Sequence, residues 1–363
     1  MDRGFWQGRA AFITGHTGFK GGWLATWLSS LGAKVTGYAL PPDTDPCFFD
    51  LCHLERQVRS IIGDIRDPAA LTHALESSKP LVVFHLAAQS LVRTSYRDPA
   101  ETFATNVMGT VRVLEAARAA ESVRAVVVVT SDKCYENSGS IWSYREIDPL
   151  GGRDPYSASK ACVELVTACY RSSFFEGGPH PVGLATVRAG NVIGGGDWAE
   201  DRLVPDSIRA IRRGEPLSLR NPDAIRPWQH VVEPLAGYIS LAELLCREAE
   251  RYGGAWNFGP EDQGALTARG LAEKVFRHWG AGSWQHARSD GRLHEAMCLK
   301  LDSSKAQTLL GWRPRLTLET AVRMAIEWYR LALCEPGADM LATTRNQLQT
   351  YELALSKPDS EPE

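Results

Sequence analysis

The glycine-rich segment near the N-terminus constrains the fold more than any other part of the chain. An apolar run over 10–14 is followed by Gly15, Gly18 and Gly21, and a helical pattern of large apolar residues begins at once. This order predicts a strand, a tight turn and a helix whose first N–H groups and positive dipole end face an anion. Such a turn is typical of a dinucleotide site, where glycine lets the backbone approach a pyrophosphate. A glycine-rich turn that binds nothing is the alternative.

Strand-like and helical patterns alternate through the first half of the chain. The strands are predicted near 10–14, 34–39, 58–62, 81–86, 125–130 and 182–188, and the helices near 20–31, 68–77, 99–120 and 155–174. Near-continuous apolar strands suit a parallel sheet that is covered on both faces. The alternation therefore predicts an α/β fold with a doubly wound, Rossmann-type parallel sheet, whose ligand crevice lies at the carboxyl ends of the strands.

The composition of the chain changes after about residue 190. Proline, arginine and tryptophan become frequent over 220–230, and the strand patterns become short. We expect a dinucleotide-binding domain over 1–190 and a smaller C-terminal substrate-binding lobe over 191–335, partly interleaved with the first domain. Helical patterns near 231–249 and 317–332 are expected to pack back on the core. The remainder, 336–363, is expected to be an extension with a disordered polar end.

Charge and cysteine usage exclude several classes of protein. The formal net charge of −3 gives no reason to expect a nucleic-acid partner. No stretch approaches the about 20 apolar residues of a membrane span, and the first residues lack the apolar core of a signal peptide. The eight cysteines show no Cys-x-x-Cys pair, so we expect reduced thiols and no metal site. These features favour a cytoplasmic protein without a membrane partner.

Tyr156 and Lys160 are the first candidates for chemistry. They follow the helix-opening dipeptide Asp154-Pro155 and, four residues apart, share one face of the predicted helix. We expect the Lys160 ammonium to lower the pKa of the Tyr156 phenol towards neutrality. A phenol in that state can take a hydroxyl proton while a hydride leaves the same carbon. An isolated pair of this kind would be an ordinary helix surface, but the upstream glycine turn favours catalysis.

Several segments together resemble the extended short-chain dehydrogenase/reductase superfamily and, within its nucleotide-sugar branch, the CDP-glucose 4,6-dehydratases. The resemblance runs from about Phe5 to about residue 330. The segments that carry it are Gly-His-Thr-Gly-Phe-Lys-Gly at 15–21, His-Leu-Ala-Ala-Gln at 85–89, Ser-Asp-Lys-Cys-Tyr at 131–135, Arg-Ala-Gly-Asn-Val-Ile-Gly-Gly-Gly-Asp at 188–197 and Arg-Pro-Trp-Gln-His at 226–230.

The resemblance implies an NAD-dependent reaction in three steps on the nucleotide sugar CDP-glucose. Tyr156 takes the proton of the C4 hydroxyl as a hydride passes to NAD, water is eliminated across C5 and C6, and the hydride returns to C6. The product would be CDP-4-keto-6-deoxy-glucose. A dehydratase or 4-epimerase that acts on another nucleotide hexose is the alternative. A non-catalytic protein of this fold would need a broken Ser131, Tyr156 and Lys160 set, and all three are present.

The resemblance also implies roles for the residues after the fifth strand. Ser131 would hydrogen-bond the C4 oxygen, and Asp132 would be the acid for the C6 hydroxyl if a dry pocket raises its pKa. Lys133 would be the base at C5, where related dehydratases carry glutamate. The alternatives are a surface ion pair between Asp132 and Lys133, and a Ser131 that only caps its loop.

A further group of residues is implied to hold the cofactor. The second strand, 34–39, has no acid at its end to bind a ribose 2′-hydroxyl, and the first acid is Asp43. NAD is therefore favoured by the resemblance alone. Asp64 would bind adenine, and its alternative role is to open the next helix. The implied cofactor-binding residues are Gly15, Thr17, Gly18, Phe19, Lys20, Asp64, Ile65, Leu86, Ala87, Ala88, Asn106, Tyr156 and Lys160.

Arginines dominate the candidates for substrate binding, because a planar guanidinium grips two phosphate oxygens at once. Trp228 could shape the wall around the base or the sugar of the substrate, and packing in the core explains this residue equally well. A homodimer or a dimer of dimers is expected, with the helices near 99–120 and 155–174 at the interface. The implied substrate-binding residues are Gln89, Arg93, Arg188, Asn191, Arg202, Arg220, Arg226 and His230.

Overall fold

A parallel sheet forms the centre of the computed structural model, which describes residues 1–177, 181–260, 265–287 and 299–356. The strands are β1 Ala10–Thr14, β2 Lys34–Ala39, β3 Arg59–Ile62, β4 Val82–His85, β5 Ala125–Val129, β6 Gly183–Ala189, β7 Asn191–Ile193, β8 Leu217–Leu219, β9 Ile225–His230, β10 Gly254–Phe258, β11 Ala265–Thr267 and β12 Trp284–His286. The central sheet has the order β10-β6-β5-β4-β1-β2-β3, and its neighbouring strands all pair in parallel.

Helices cover both faces of this sheet. They are α1 Arg3–Trp6, α2 Phe19–Ser30, α3 Phe48–Leu51, α4 Pro68–Ser78, α5 Val92–Arg97, α6 Pro99–Phe103, α7 Gly109–Ala119, α8 Pro155–Tyr170, α9 Leu203–Arg213, α10 Val232–Arg247, α11 Ala249–Tyr252, α12 Ala268–Trp279, α13 Ser304–Leu310, α14 Leu318–Cys334 and α15 Met340–Leu355. A π-helical segment, Ala104–Met108, joins α6 to α7, and a second one, Arg171–Phe175, extends α8. Short 3₁₀ turns lie at Leu54–Arg56 and Asp132–Cys134.

The strand order confirms the predicted doubly wound α/β fold. From β1 the chain builds outward through β2 and β3, and it then returns to the other side of β1 for β4, β5 and β6. The direction of winding reverses between β1 and β4, and the loops that leave their carboxyl ends diverge there. All five residues of β5 are buried, as a strand covered on both faces requires.

The seventh strand of the sheet was not predicted. β10 pairs with β6 at the sheet edge, although its sequence, Gly-Ala-Trp-Asn-Phe, shows neither clear alternation nor a continuous apolar run. α10, which lies in the region predicted as helical near 231–249, packs against β5 and β6. Chain segments on both sides of residue 190 therefore build the sheet and its covering layer.

The remaining strands form a smaller lobe over the carboxyl edge of the sheet. β9 lies between β7 and β11, and β8 pairs with β12. The predicted extension contains α15, which packs on α2 and α14, with a 2.8 Å hydrogen bond from Trp27 Nε1 to Glu352 Oε1. The expected disordered end, 357–363, lies outside the described residues.

None of the helices in the described ranges is long and apolar enough to cross a membrane. The expected cytoplasmic location stays a prediction.

Candidate active site

A large cleft opens at the carboxyl ends of the central strands, between the sheet and the smaller lobe. Its volume is about 1970 Å³, and its walls are the loops that follow β1 to β6 together with residues of the lobe. A pocket for one small ligand usually has roughly 300–1,000 Å³. The cleft therefore has room for two ligands of nucleotide size.

The glycine turn after β1 forms one wall of the cleft. Gly15 has φ +80°, and a Cβ atom there would lie 2.7 Å from the backbone nitrogen of Ala87. A Cβ atom on Gly21 would lie 2.1 Å from the carbonyl oxygen of Gly15, so both positions require glycine. Gly18 is the N-cap of α2 and lines the cleft. The first N–H groups of α2 thus meet the open space, and this cradle fits the pyrophosphate of a dinucleotide.

The loops after β2 and β3 form the end of the cleft where an adenosine would lie. Thr17 donates a 2.9 Å hydrogen bond to the carbonyl of Leu40, just past β2. Asp64 and Ile65 line the cleft, and Arg66 holds the Asp64 carboxylate through two guanidinium nitrogens. Hydrogen bonding from Arg66 lowers the pKa of Asp64. The Asp64 carboxylate is therefore negatively charged at neutral pH.

The residues after β4 form the floor of the cleft. The backbone nitrogens of Leu86 and Ala87 donate to the Thr14 hydroxyl over 3.1 and 3.2 Å. Phe19 and Lys20, in the first turn of α2, face the same space. Burial, reinforced by the charge of Arg202, lowers the pKa of Lys20 to about 7.

The turn after β5 places Ser131, Asp132 and Lys133 in the cleft. Asp132 is only 4% exposed, and its Oδ1 accepts a 3.0 Å hydrogen bond from Ser131 Oγ. Burial raises the pKa of Asp132 against the opposing effect of the Lys133 charge. A surface ion pair is therefore wrong for this buried acid. Ser131 does cap the turn, because its Oγ accepts from the backbone nitrogen of Lys133 over 3.2 Å, and it faces the cleft as well.

Tyr156 and Lys160 lie opposite this turn, at the start of α8. The helix begins after Asp154, whose carboxylate accepts from the backbone nitrogen of Ser157 over 2.9 Å. Burial raises the pKa of Tyr156 to about 12, against a hydrogen bond with Ser131 that lowers it. Burial also lowers the pKa of Lys160 to about 8. The expectation that Lys160 brings the Tyr156 pKa towards neutrality is wrong for this cleft, because desolvation of the phenolate outweighs the Ser131 hydrogen bond and the charge of Arg202, which lower that pKa.

Four predicted arginines, 93, 202, 220 and 226, line the far side of the cleft. Arg202 donates to Ser90 Oγ over 3.3 Å and lies 3.6 Å from the Asp197 carboxylate. Arg220 donates to Asp201 Oδ1 over 3.0 Å. These cations surround the part of the cleft that would receive a diphosphate.

Comparison of the whole sequence with known proteins identifies the family of this chain. The model of the GDP-mannose 4,6 dehydratase family matches residues 12–325. The chain belongs to this family of dehydratases. It is 47% identical over 360 residues, 98% of its length and 100% of the relative, to a CDP-glucose 4,6-dehydratase from Salmonella typhimurium. That similarity confirms the resemblance to the CDP-glucose 4,6-dehydratases.

More distant relatives also match most of the chain. A dTDP-glucose 4,6-dehydratase from Xanthomonas campestris is 27% identical over 87% of the chain and 92% of the relative. The crystal structure of DesIV from Streptomyces venezuelae, a dTDP-glucose 4,6-dehydratase with NAD and TYD bound, covers 90% of this chain and 99% of its own with a TM-score of 0.75 and 26% identity.

Of the described residues predicted for the site, Asn106, Arg188 and His230 lie outside the lining of this dehydratase cleft. Asn106 is buried, and its side chain bonds both backbone groups of Gln89 over 2.8 and 2.9 Å. It therefore supports the loop after β4, and its predicted contact with the cofactor stays a prediction. The remaining predicted residues, including Ala88, Gln89 and Asn191, do line the cleft.

Arg188 and His230 were predicted to bind the substrate, and the structure corrects that prediction because both side chains are buried away from the cleft. Arg188 is 2% exposed and forms a 2.8 Å ion pair with Glu164, so its charge is already matched. His230 is fully buried, with its ring edge-on to Trp23 at a centroid distance of 5.5 Å. Burial lowers the pKa of His230 to about 3, so the ring is neutral.

Asp201 is a residue of the cleft that sequence reasoning missed. Its carboxylate lies between Arg220, at 3.0 Å, and Arg93, at 3.5 Å, and so joins α5 to the segment between β8 and β9. Its backbone is in the left-handed region, with φ +60°. The adjacent charges of Glu200, Asp201 and Arg202 were the signal that could have found it.

Proposed function

We propose that this chain converts CDP-glucose to CDP-4-keto-6-deoxy-glucose, with NAD as its resident cofactor. The observation that carries the proposal is the meeting of two groups in one cleft: the turn of Ser131, Asp132 and Lys133, and the pair Tyr156 and Lys160. An epimerase needs only the second group together with a hydroxyl. The buried acid and the lysine beside it supply the additional acid and base that an elimination requires.

The glycine turn, the first turn of α2 and the loops after β3 and β4 would hold the dinucleotide. When bound, NAD supplies an acceptor for the hydride from C4 and later returns it to C6. The DesIV dehydratase, whose crystal structure has NAD bound, supports this choice. The backbone cradle at Gly15 and Gly18 supports it independently of any relative.

Tyr156 would take the C4 hydroxyl proton while Ser131 hydrogen-bonds the same oxygen. With a pKa of about 12 the phenol is protonated at neutral pH. It therefore needs added positive charge before it can act as a base. The cationic ring of a bound cofactor would supply that charge. Lys160, one helical turn further along α8, would hold this helix against β5 through its hydrogen bond to the Val129 carbonyl.

Asp132 and Lys133 would carry out the elimination. Lys133 takes the proton from C5, which the 4-keto group has made acidic, and the electron pair forms the C5–C6 double bond. Asp132 gives its proton to the departing C6 hydroxyl, which leaves as water. A carboxyl whose pKa is raised by burial retains the proton that this role requires.

The arginines opposite the catalytic groups would bind the substrate diphosphate. The charge of Arg226 is near enough to Asp132 to lower the pKa of that carboxyl, so a diphosphate held by Arg226 would place its hexose near the turn. The choice of cytosine is supported by the 47% identity to the CDP-glucose 4,6-dehydratase from Salmonella typhimurium.

Two further proposals concern the division of the chain into domains and its oligomeric state. We propose that the sheet and its helices, mostly within 1–190, bind the dinucleotide, while most of 191–335 binds the nucleotide sugar. We also propose that the chain forms a homodimer, or a dimer of dimers, through α7 and α8. Large apolar side chains on α8 and on the π-helical segments that adjoin α7 and α8 support that face, since Met108, Leu165 and Phe174 are 48%, 61% and 52% exposed.

The proposal is tested by incubating the purified chain with CDP-glucose, with and without added NAD, and following the sugar by proton NMR. UDP-glucose, dTDP-glucose and GDP-mannose are run in parallel. A new C6 methyl signal from CDP-glucose alone is the expected result. A methyl signal from another nucleotide sugar would keep the dehydration and overturn the substrate. An inverted C4 with C6 intact would overturn the elimination.

A further inference from the structure

A buried ion pair contacts the residues on both sides of the turn that carries Ser131, Asp132 and Lys133. Glu164 on α8 and Arg188 on β6 have side chains that are 3% and 2% exposed, and they meet at 2.8 Å. The guanidinium donates through Nε and Nη2 to the two carboxylate oxygens. Thr130 and Thr186 donate their hydroxyls to the same carboxylate. Four hydrogen bonds thus hold the carboxylate in one position.

The third guanidinium nitrogen extends this network away from Glu164. Arg188 Nη1 donates to the Tyr135 hydroxyl oxygen over 2.6 Å, and the guanidinium carbon lies 4.7 Å from the centre of the Tyr135 ring. The Tyr135 hydroxyl in turn donates to Asn257 Oδ1 on β10 over 2.8 Å. The charge of Arg188 is therefore shared between a carboxylate on one side and a phenol on the other.

Two residues of this network flank the turn of Ser131, Asp132 and Lys133 in the chain. Thr130 directly precedes Ser131, and Tyr135 follows Cys134, so the two bracket the turn that carries Asp132 and Lys133. The network therefore holds the turn at both ends.

Glu164 also lies one helical turn after Lys160 on α8. The same ion pair thus sets the turn of the proposed elimination groups against the helix of the proposed oxidation groups.

Stability alone does not explain a buried pair of this kind. Removing two charges from water costs about as much as their attraction returns, so a buried ion pair is weak evidence for stability. Its directed hydrogen bonds do impose one geometry on the groups that they reach. Here those groups are the two residues that flank the turn.

We propose that Arg188 is a positioning residue for the elimination step: through Tyr135 and Glu164 it fixes the turn of Asp132 and Lys133 against α8. This inference rests on the proposed function. It concerns the second step of the reaction in particular, because the elimination groups lie inside the bracketed turn, whereas Tyr156 and Lys160 are fixed by α8 itself.

The test removes one link and leaves the ion pair intact. Replacing Arg188 would leave Glu164 as an unpaired buried charge and endanger folding, so the main variant is Tyr135→Phe. It loses the hydroxyl and keeps the ring, which stacks on Tyr144 at a centroid distance of 5.1 Å. We expect kcat to fall roughly tenfold, as for a lost hydrogen bond to a charged group, while KM stays within twofold. Thr130→Val, at the other end of the turn, is expected to act in the same direction.

Kinetic isotope effects separate positioning from general damage. With CDP-glucose deuterated at C5, Tyr135→Phe should show a larger isotope effect on kcat than the unmodified chain, because elimination becomes rate-limiting. With CDP-glucose deuterated at C4, its isotope effect should be smaller. Tyr144→Phe is the matched control, since the Tyr144 hydroxyl bonds Ser138 and Asn137 in the loop between Tyr135 and Tyr144. The kcat and the isotope effects of this variant should stay within twofold of those of the unmodified chain.

The outcomes distinguish this inference from the function on which it rests. An unchanged kcat for Tyr135→Phe, or a lower kcat with both isotope effects unaltered, would overturn the positioning role while the unmodified chain still dehydrates CDP-glucose. An unmodified chain that forms no C6 methyl product from any nucleotide sugar would overturn the proposed function, and the inference with it.

Discussion

Lys160 donates a 3.1 Å hydrogen bond to the carbonyl oxygen of Val129, the last residue of β5. The contact ties the helix that carries Tyr156 to the strand that leads into the turn of Ser131 and Asp132. This hydrogen bond is thus one link between the two halves of the proposed chemistry. With a pKa of about 8, its amine is mostly protonated at neutral pH, so it remains a donor to this carbonyl.

Removing the Tyr156 hydroxyl should abolish most turnover. The change Tyr156→Phe deletes the proposed base and leaves the ring in place, so kcat should fall roughly a hundredfold or more, as for the loss of a general base. The dissociation constant for NAD, measured by calorimetry, should stay within threefold. Wild-type turnover in this variant would remove the phenol from the mechanism.

Neutralising Asp132 should separate oxidation from elimination. Asp132→Asn keeps the size and burial of the side chain but cannot donate a carboxyl proton to the C6 hydroxyl. C4 oxidation should continue, so mixing with CDP-glucose should raise the absorbance at 340 nm while the C6 methyl signal in NMR falls roughly a hundredfold.

The matched control for this variant is Asp148→Asn. Asp148 accepts from the backbone nitrogen of Arg145 in the loop before α8 and does not line the cleft. The Asp148→Asn variant should dehydrate CDP-glucose at the wild-type rate. A full methyl yield from Asp132→Asn, with no rise at 340 nm, would contradict the acid role.

Removing the guanidinium of Arg226 should weaken substrate binding more than turnover. Arg226→Ala loses a charged contact to the diphosphate that is made equally before and during the reaction, so KM should rise about tenfold or more while kcat changes less than threefold. Arg247→Ala is a control of the same chemistry, because Arg247 pairs with Asp2 on the far surface. A fall in kcat at unchanged KM would place the diphosphate elsewhere.

Glu233 should make the stability of the chain depend on pH. This buried carboxylate accepts from the backbone nitrogens of Arg315 and Leu316 over 2.8 and 2.6 Å and from the Tyr351 hydroxyl on α15. Burial raises its pKa from 4.5 to about 7. A group with a raised folded-state pKa contributes stability that is complete below pH 4.5 and is lost as the pH rises through about 7.

The corresponding variant is Glu233→Gln, which keeps an oxygen for the two backbone donors. Between pH 5 and pH 8 the wild-type chain should lose up to about 3 kcal/mol of unfolding free energy from this group, and the variant should lose none of it. Thermal melts at several pH values measure the difference. Parallel curves for the two chains would contradict the assignment.

The sequence predicted the sheet well because its strands are strongly patterned, and it predicted the site less evenly. The apolar run of β5 and the glycine turn at Gly15 each encode their own geometry. β10 was missed because an edge strand that alternates weakly is recognised only through its pairing with β6. Arg188 and His230 were misplaced because a sequence shows that a residue ends a strand but not which buried partner it meets, and Glu164 could be identified as that partner only in three dimensions.

The exposed face of α7 and α8 should hold two copies of the chain together. Leu165, which is 61% exposed, lies on α8, so Leu165→Glu would bury charges against a like-charged copy if this face is the interface, and each unpaired charge there carries a large desolvation cost. Light scattering after size exclusion should report a dimer or tetramer for the wild type and a smaller species for the variant. Leu353→Glu is the matched control, because Leu353 is 67% exposed on α15, away from this face. An unchanged mass for Leu165→Glu, or an equal loss of mass in both variants, would contradict an interface built on these two helices.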